Sequence, residues 1–131
     1  MIVCEEYMST SRIKGNKGLS IAIAYFGSND YIVSVPLTDT QDYDLIVDNG
    51  KLQKVQVKYV EYKNKANHYA VGLRVISGST GKVVKNAVDC VYDLLFVACS
   101  NKAMYLIPKS DIKNVNSITI TSDKDKYKVC L

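Results

Sequence analysis

The sequence has few of the residues that stabilise small proteins through metals or disulfides. Its four cysteines, Cys4, Cys90, Cys99 and Cys130, lie far apart, and its single histidine is His68. There is no CxxC pair and no cysteine–histidine spacing, which argues against a zinc site and against a disulfide framework. We therefore expect buried, reduced thiols in a cytosolic protein.

Long apolar runs are also absent. No run reaches the roughly 18 residues that a membrane-spanning helix needs, and the first residues, MIVCEEYM, carry acids where a secretory signal peptide carries bases. We therefore expect a cytoplasmic protein with no membrane partner. The length of 131 residues suits a single domain, and 47% hydrophobic and 23% charged residues are ordinary for a globular protein.

The hydrophobic pattern predicts a strand-rich chain with one helix near its start. Residues 18–27, GLSIAIAYFG, are apolar nearly all round and predict a buried helix with Asn16 as its N-cap. Asn49-Gly50 lies between two strand-like segments and predicts a hairpin. Residues 93–98, DLLFVA, predict a strand covered on both faces, and residues 117–131 predict a final edge hairpin. Together these elements predict an α/β or α+β fold with a mixed sheet.

The predicted hairpin groups polar side chains of two neighbouring strands. Gln56 and Lys58 share a face of the second strand, because successive side chains of a strand alternate. Asp44 on the first strand joins them only if its cross-strand partner has an even number. A three-residue loop over residues 48–50, with Gly50 at a positive φ, meets this condition, and so does a β-bulge, whereas the tightest two-residue turn does not.

The same loop fixes the rest of the expected register. It pairs Val47 with Lys51, and it sets Asp42 opposite Gln56. Asp42 is therefore a candidate auxiliary acid.

Asp44 and Gln56 together suggest a particular chemistry. A carboxylate and an amide oxygen are hard donors that suit Mg²⁺ or Mn²⁺, with a nearby backbone carbonyl and several waters completing the shell. The carbonyl would be that of Val57. Such an ion neutralises the charge that develops on a phosphodiester and lowers the pKa of a bound water. Lys58 would orient this water or stabilise the charge, so the candidate catalytic residues are Asp44, Gln56 and Lys58.

The charge distribution agrees with a polyanionic partner. The formal net charge is +4, and basic residues concentrate in the middle of the chain. A basic band beside an acidic pocket is what a metal-dependent enzyme acting on nucleic acid needs, although a solvated lysine-rich surface is the alternative. The candidate DNA-binding residues are Lys14, Lys17, Lys54, Lys63, Lys65, Arg74, Lys82 and Lys85.

The pattern Asp44-(x11)-Gln56-x-Lys58 resembles the PD-(D/E)xK nuclease signature. The wider sequence, KGNKGLSIAIAYF…YIVSVPL…YDLIVDNGKLQKVQVK, resembles the group I intron-associated PD-(D/E)xK homing endonucleases. In that family a VQVK-type strand stands where most relatives have an acid. The resemblance covers residues 14–58, and YDLLFVACSNKAMYLIP is similar to the last core strands of the family more loosely.

The resemblance implies a restriction-endonuclease-like fold, with a mixed sheet flanked by helices, as one nuclease-like domain over residues 1–131. It implies metal-dependent cleavage of double-stranded DNA, with Asp44 as the metal-binding acid, Gln56 as an unusual ligand and Lys58 as the catalytic lysine. Many members carry a glutamate on the first helix, where Leu19 stands here.

The homing role also implies an assembly. One chain of 131 residues is too small to read a long target site alone, so we expect a homo-oligomer, a dimer or a tetramer, with two-fold symmetry. Two alternatives stay open. One is a catalytically inactive DNA-binding or partner-binding domain of the same fold, which the missing helix acid favours. The other is a Holliday-junction resolvase-like nuclease acting on branched DNA.

Overall fold

The computed structural model describes residues 10–77, 83–112 and 115–131. The helix α1 spans Thr10–Ser28. The strands are β1 Ile32–Ser34, β2 Leu45–Asp48, β3 Leu52–Val60, β4 Ala70–Gly72, β5 Val75–Ser77, β6 Val83–Lys85, β7 Leu94–Cys99, β8 Met104–Pro108, β9 Ser117–Thr119 and β10 Lys128–Val129. Short 3₁₀ turns occupy Ala87–Asp89, Lys109–Asp111 and Ser122–Tyr127. Within the described ranges, no helix is both long and apolar enough to cross a membrane.

Helix α1 is longer than the sequence predicts. It begins at Thr10, so Asn16 lies inside the helix and the expected N-cap is wrong. The polar first half can be helical because its charged side chains point to solvent, while Ala22 and Phe26 of the second half are fully buried. After the last turn Asp30 takes a positive φ of 65°, and the N–H of Tyr31 donates to the carbonyl of Phe26 at 3.0 Å. This bond closes the helix as in a Schellman motif.

The main sheet is mixed, as predicted. Its six strands have the order β1-β2-β3-β7-β8-β10. Strands β3 and β7 are parallel, and the neighbouring pairs on either side are antiparallel. All residues of β7 are buried, which confirms the prediction of a strand covered on both faces.

The predicted final hairpin is wrong. Strand β9 pairs with β4 in a separate two-stranded sheet, and β10 pairs with β8 at the edge of the main sheet. The 3₁₀ turn Ser122–Tyr127 separates the two segments. Directly after β9, Ile120 is buried and its N–H donates to the carbonyl of Tyr69, which directly precedes β4, at 2.9 Å. Burial of apolar side chains against distant strands therefore overrides local pairing.

Two apolar layers cover the central strands. On one face, α1 contributes Phe26 to a cluster that includes Val55 and Phe96. On the opposite face, Leu95 and Val97 of the same strand β7 pack beneath the small sheets. Alternate residues of β3 and β7 therefore serve opposite layers, as the two-residue period of a strand requires.

Gly18 allows α1 to lie directly on β3. A Cβ atom at this position would be 3.0 Å from the Cβ of Tyr59 and 3.3 Å from a methyl group of Val57. Both neighbours belong to the central strand β3 and lie in the part of it that pairs with the buried strand β7. A larger residue would push the helix away from the strand that carries Gln56 and Lys58.

Gly18→Ala should therefore destabilise the fold, whereas Gly15→Ala should not. A Cβ atom at Gly15 meets nothing within 4 Å, so that variant gains helix propensity of roughly 0.5–1 kcal/mol. Overpacking at Gly18 should cost about 1–3 kcal/mol. Urea denaturation of both variants measures the difference. Equal stability of the two alanine variants would contradict the close approach.

Candidate active site

The site lies where strand β2 ends and β3 continues. Strand β2 spans Leu45–Asp48, whereas β3 runs on to Val60. The N–H of Asp44 donates to the carbonyl of Val55 at 2.8 Å, a bond offset by one residue from the ladder in which Leu45 opposes Val55. Beyond this offset, the backbone of β3 loses its strand partner on that side.

Side chains satisfy the backbone groups that β2 leaves unpaired. The N–H of Val57 donates to Oδ2 of Asp44 at 2.8 Å. The carbonyl of Val57 accepts a hydrogen bond from Nε2 of Gln56 at 3.2 Å. A buried backbone N–H without a partner would cost free energy comparable to a lost hydrogen bond. The bond from Val57 therefore stabilises the fold and holds Asp44 in place, while the carboxylate keeps further lone pairs for chemistry.

The hairpin register differs from the expected one by two residues. Asp48 opposes Leu52 and Val47 opposes Gln53, so the loop covers residues 49–51 rather than 48–50. The three-residue length is confirmed, and Gly50 has the expected positive φ of 108°. The position differs because Oδ1 of Asp48 accepts the N–H of Gly50 at 2.8 Å, which makes Asp48 the first residue of the turn.

A shift of two residues keeps every side chain on its expected face. The observed register, continued by one residue, brings Asp44 level with Gln56. Asp42 does not lie opposite Gln56, so that part of the prediction is wrong.

Asp42 is instead bound to a distant part of the chain. Its carboxylate accepts Nζ of Lys85 at 2.8 Å and the N–H of Val91 at 2.7 Å, and its side chain is only 10% exposed. Burial alone would raise the pKa of Asp42, but the bonds from Lys85 and Val91 lower it below its ordinary value. The auxiliary acid predicted from the hairpin is thus already committed to a structural ion pair.

Asp44, Gln56 and Lys58 line one cavity of about 620 Å³. Arg74 also lines it, and Nζ of Lys58 donates to the carbonyl of Arg74 at 3.1 Å. The wall on the helix side includes Leu19. No residue of Thr10–Ser28 is an acid, so α1 offers the cavity no carboxylate.

Burial and attraction act in opposition on the two ionisable groups of the cluster. Burial raises the pKa of Asp44, against the N–H of Val57 and the positive charge of Lys58, which both lower it. Burial lowers the pKa of Lys58, against the negative charge of Asp44. Each group is therefore easier to neutralise than it would be in water, a common property of catalytic side chains.

The groups expected to hold an ion are hard oxygen atoms. Asp44 and Gln56, which line the cavity, offer a carboxylate and an amide oxygen. The carbonyl of Val57, next to both, accepts one hydrogen bond from Gln56 and keeps its second lone pair. The described residues contain no cluster of three or more His, Cys, Asp or Glu that could hold a metal ion. The donor set therefore fits a hard dication that keeps several waters, and not zinc.

Three of the candidate DNA-binding lysines lie over tyrosine rings. Such contacts hold the long side chain against the surface while the ammonium group stays accessible to an anion. The pairs are Lys17 over Tyr59 at 5.9 Å, Lys54 over Tyr43 at 5.4 Å and Lys63 over Tyr69 at 4.9 Å.

The other candidate cations differ in how far they are neutralised. Lys14 lies 3.5 Å from Glu61 in an exposed ion pair, and Lys85 is paired with Asp42. Arg74 and Lys65 are exposed. Lys82 lies outside the described residues.

One acid of the cavity is not predicted by the sequence pattern. Asp39 lies in the segment between β1 and β2 and lines the cavity together with Thr38 and Gln41. The available signal was the polar run TDTQD directly before Tyr43-Asp44. Polarity alone does not separate a cavity wall from a solvated loop, so only the fold identifies this residue.

The fold itself defines a class of proteins. The structure is similar to that of a bacterial homing endonuclease, I-Ssp6803I, with a TM-score of 0.70 and 23% sequence identity. The similarity covers 92% of this chain and 89% of that chain. At this identity it shows the shared fold, and the mixed sheet with a flanking helix is restriction-endonuclease-like, as expected.

The family follows from the sequence itself. The model of the PD-(D/E)XK endonuclease family matches residues 8–128, which is most of the chain. The chain therefore belongs to the PD-(D/E)XK endonuclease family and is an endonuclease of that type. Among curated proteins, a search finds no match. The resemblance to PD-(D/E)xK endonucleases is thus confirmed.

The opposite pKa directions of Asp44 and Asp42 predict opposite effects of pH on stability. The raised pKa of Asp44 means that the wild type loses stability, relative to Asp44→Asn, as the pH rises from 3.8 through the raised folded-state pKa. The lowered pKa of Asp42 means that the wild type gains stability, relative to Asp42→Asn, as the pH rises through the lowered folded-state pKa towards 3.8.

Thermal or urea unfolding of the three proteins from about pH 2 to pH 7 measures both trends, because the Asp42 effect lies below pH 3.8 and the Asp44 effect above it. Asp42→Asn is the matched control, because it removes the same type of charge from the same segment. Parallel pH dependence of the two variants would contradict the assigned environments of the two carboxylates.

Proposed function

We propose that this endonuclease hydrolyses phosphodiester bonds of double-stranded DNA with Mg²⁺ or Mn²⁺, as a homing-type, site-specific enzyme. The observation that carries the proposal is the cavity where β2 ends. There Asp44, Gln56 and Lys58 line a common wall, with the backbone of Val57 between them. The family membership supports the reaction class.

In this proposal Asp44, Gln56 and the carbonyl of Val57 hold the ion. When bound, a dication supplies positive charge at the scissile phosphate and makes a water molecule more acidic. Gln56 is 7% exposed, so its amide orientation is fixed by packing rather than by solvent. The amide of Gln56 is neutral. A carboxylate at this position would place a second buried negative charge beside Asp44, and the two charges would repel each other in the protein without a bound ion.

Lys58 and Arg74 act on the phosphate. The ammonium group of Lys58 faces the cavity, and its lowered pKa keeps it ready to give up a proton or to donate a hydrogen bond. The guanidinium of Arg74 is suited to bind two phosphate oxygens at once. Both groups stabilise the negative charge that develops as the phosphodiester bond breaks.

The aromatic-supported lysines extend this positive surface. Lys17 on α1 and Lys54 on β3 each pack over a tyrosine, and the exposed Lys63 and Lys65 follow β3. Such residues contact the DNA backbone and position the duplex, without reading the base sequence. Site specificity then needs a larger surface, and a homo-oligomer with two-fold symmetry provides it.

A second candidate function is DNA binding without cleavage. It is favoured by Leu19, which gives the helix side of the cavity a neutral wall. This alternative keeps the basic surface and predicts salt-sensitive binding to DNA with no cleavage in Mg²⁺ or Mn²⁺.

Asp44→Ala and Lys58→Ala should each reduce Mg²⁺-dependent cleavage of supercoiled plasmid DNA by roughly 100-fold or more. The first change removes the proposed carboxylate ligand, and the second removes the positive charge beside the phosphate. Gel assays over time, with protein in excess, measure the rate. Lys126→Ala is the matched control, because Lys126 lies over Tyr127 in the distant 3₁₀ turn.

Wild-type rates for both cavity variants would show that the site assignment is wrong. An inactive wild type that still binds DNA would favour the second candidate function. Competition between a linear duplex and a four-way junction separates duplex cleavage from a Holliday-junction resolvase-like activity, because a resolvase would prefer the junction.

Arg74→Ala and Lys17→Ala should each weaken duplex binding and flatten its salt dependence. Every lost phosphate contact reduces the slope of log K against log salt by about 0.9. Fluorescence anisotropy with a labelled duplex, in Ca²⁺ and at several salt concentrations, measures this slope. Lys124→Ala is the control, because Lys124 is already paired with Asp123 at 2.8 Å. Identical slopes for all three variants would contradict the proposed DNA-binding surface.

A further inference from the structure

The proposed ion-holding groups carry little negative charge to balance a bound dication. Asp44 is the only carboxylate among the three proposed ion-holding groups, and the cations Lys58 and Arg74 share the cavity with it. Helix α1 contributes no acid. A dication beside two protein cations and a single carboxylate would be held weakly, because repulsion offsets much of the attraction.

Asp39 is the other carboxylate on the wall of this cavity. It lies between β1 and β2, in a turn fixed by two side-chain hydrogen bonds. Oγ1 of Thr38 donates to Oε1 of Gln41 at 3.0 Å, and Nε2 of Gln41 donates to the carbonyl of Thr38 at 2.5 Å. These bonds join the residues on both sides of Asp39 and hold its backbone at the cavity wall.

The carboxylate of Asp39 is free to act, in contrast to that of Asp42. Asp42 is occupied by Lys85 and Val91. Over residues 10–77, 83–112 and 115–131, no hydrogen bond or ion pair engages the side chain of Asp39. Asp39 is also exposed, so its ionised form is well solvated before any ion binds.

We infer that Asp39 supplies the second carboxylate of the metal site, as a ligand or through a bound water. The inference rests on the proposed function, because it concerns the same ion. It gives the segment before β2 a catalytic role, and it explains how the site works without an acid on α1. Hard dications commonly bind through one or two carboxylates and several waters, which suits this pair.

The test compares Mn²⁺ affinity among matched variants, with the free ion measured by electron paramagnetic resonance in the presence of a DNA duplex at low temperature. Asp39→Asn should weaken Mn²⁺ binding by about 10- to 100-fold. Its plasmid cleavage should recover at high Mn²⁺ concentration, because the chemical groups on the phosphate are unchanged. Asp48→Asn is the control, because Asp48 bonds the N–H of Gly50 in the hairpin loop and should leave Mn²⁺ affinity unchanged.

A rescue variant separates a direct role of Asp39 from a merely structural one. Leu19 lines the same cavity from α1, so Leu19→Glu in the Asp39→Asn background places a new carboxylate there. We expect this double variant to recover at least part of the lost Mn²⁺ affinity. A thermal unfolding curve verifies that each variant is folded.

The outcomes distinguish the inference from the proposed function. Normal Mn²⁺ affinity of Asp39→Asn together with weak affinity of Asp44→Asn would overturn the inference and leave the proposed function standing. Normal affinity in both variants, or no saturable Mn²⁺ binding by the wild type, would overturn both. Failure of Leu19→Glu to restore any affinity would overturn the direct role of the Asp39 carboxylate.

Discussion

The hydrogen bond from the N–H of Val57 to the carboxylate of Asp44 is the interaction on which the site depends. Strand β2 has four residues and β3 has nine, so the second half of β3 has no strand partner on that side. The side chain of Asp44 takes the place of the missing strand. Burial of this carboxylate raises its pKa, whereas the bond from Val57 lowers it. In the proposed function, one bond thus serves both the fold and the chemistry.

The rest of the structure keeps β3 still around this bond. All residues of the buried strand β7 pair with residues 55–60 of β3. Helix α1 packs on one face of β3, where Gly18 allows a close approach. A site on a strand supported in this way keeps its side chains in fixed positions better than a site on a loop. Gln56 fits this environment because it is neutral, and among the described side chains no buried polar atom is left without a partner.

Two acids three residues apart have different roles for reasons that no local pattern contains. Asp42 is drawn into an ion pair with Lys85, 43 residues further along the chain, and it fixes the segment before β2. Asp39 is held at the cavity wall by the turn between Thr38 and Gln41. Both are simply acids in a polar run of the sequence, and the tertiary contacts alone distinguish a structural carboxylate from a free one.

The sequence by itself determined the buried strand β7, the existence of the helix and the hairpin around Gly50, because hydrophobic period and turn residues are local properties. Parity then grouped Asp44 with Gln56 and Lys58. Only the structure decided the hairpin register. A bond from the N–H of Gly50 to the side chain of Asp48 accompanies a loop over residues 49–51 instead of 48–50, which changes the cross-strand register by two residues. The tertiary structure also decided the pairing of β9 and β10 and the separate positions of Asp42 and Asp39. The strand pairings and the positions of the two acids depend on contacts between segments that are distant in the chain, and a local pattern carries no information about them.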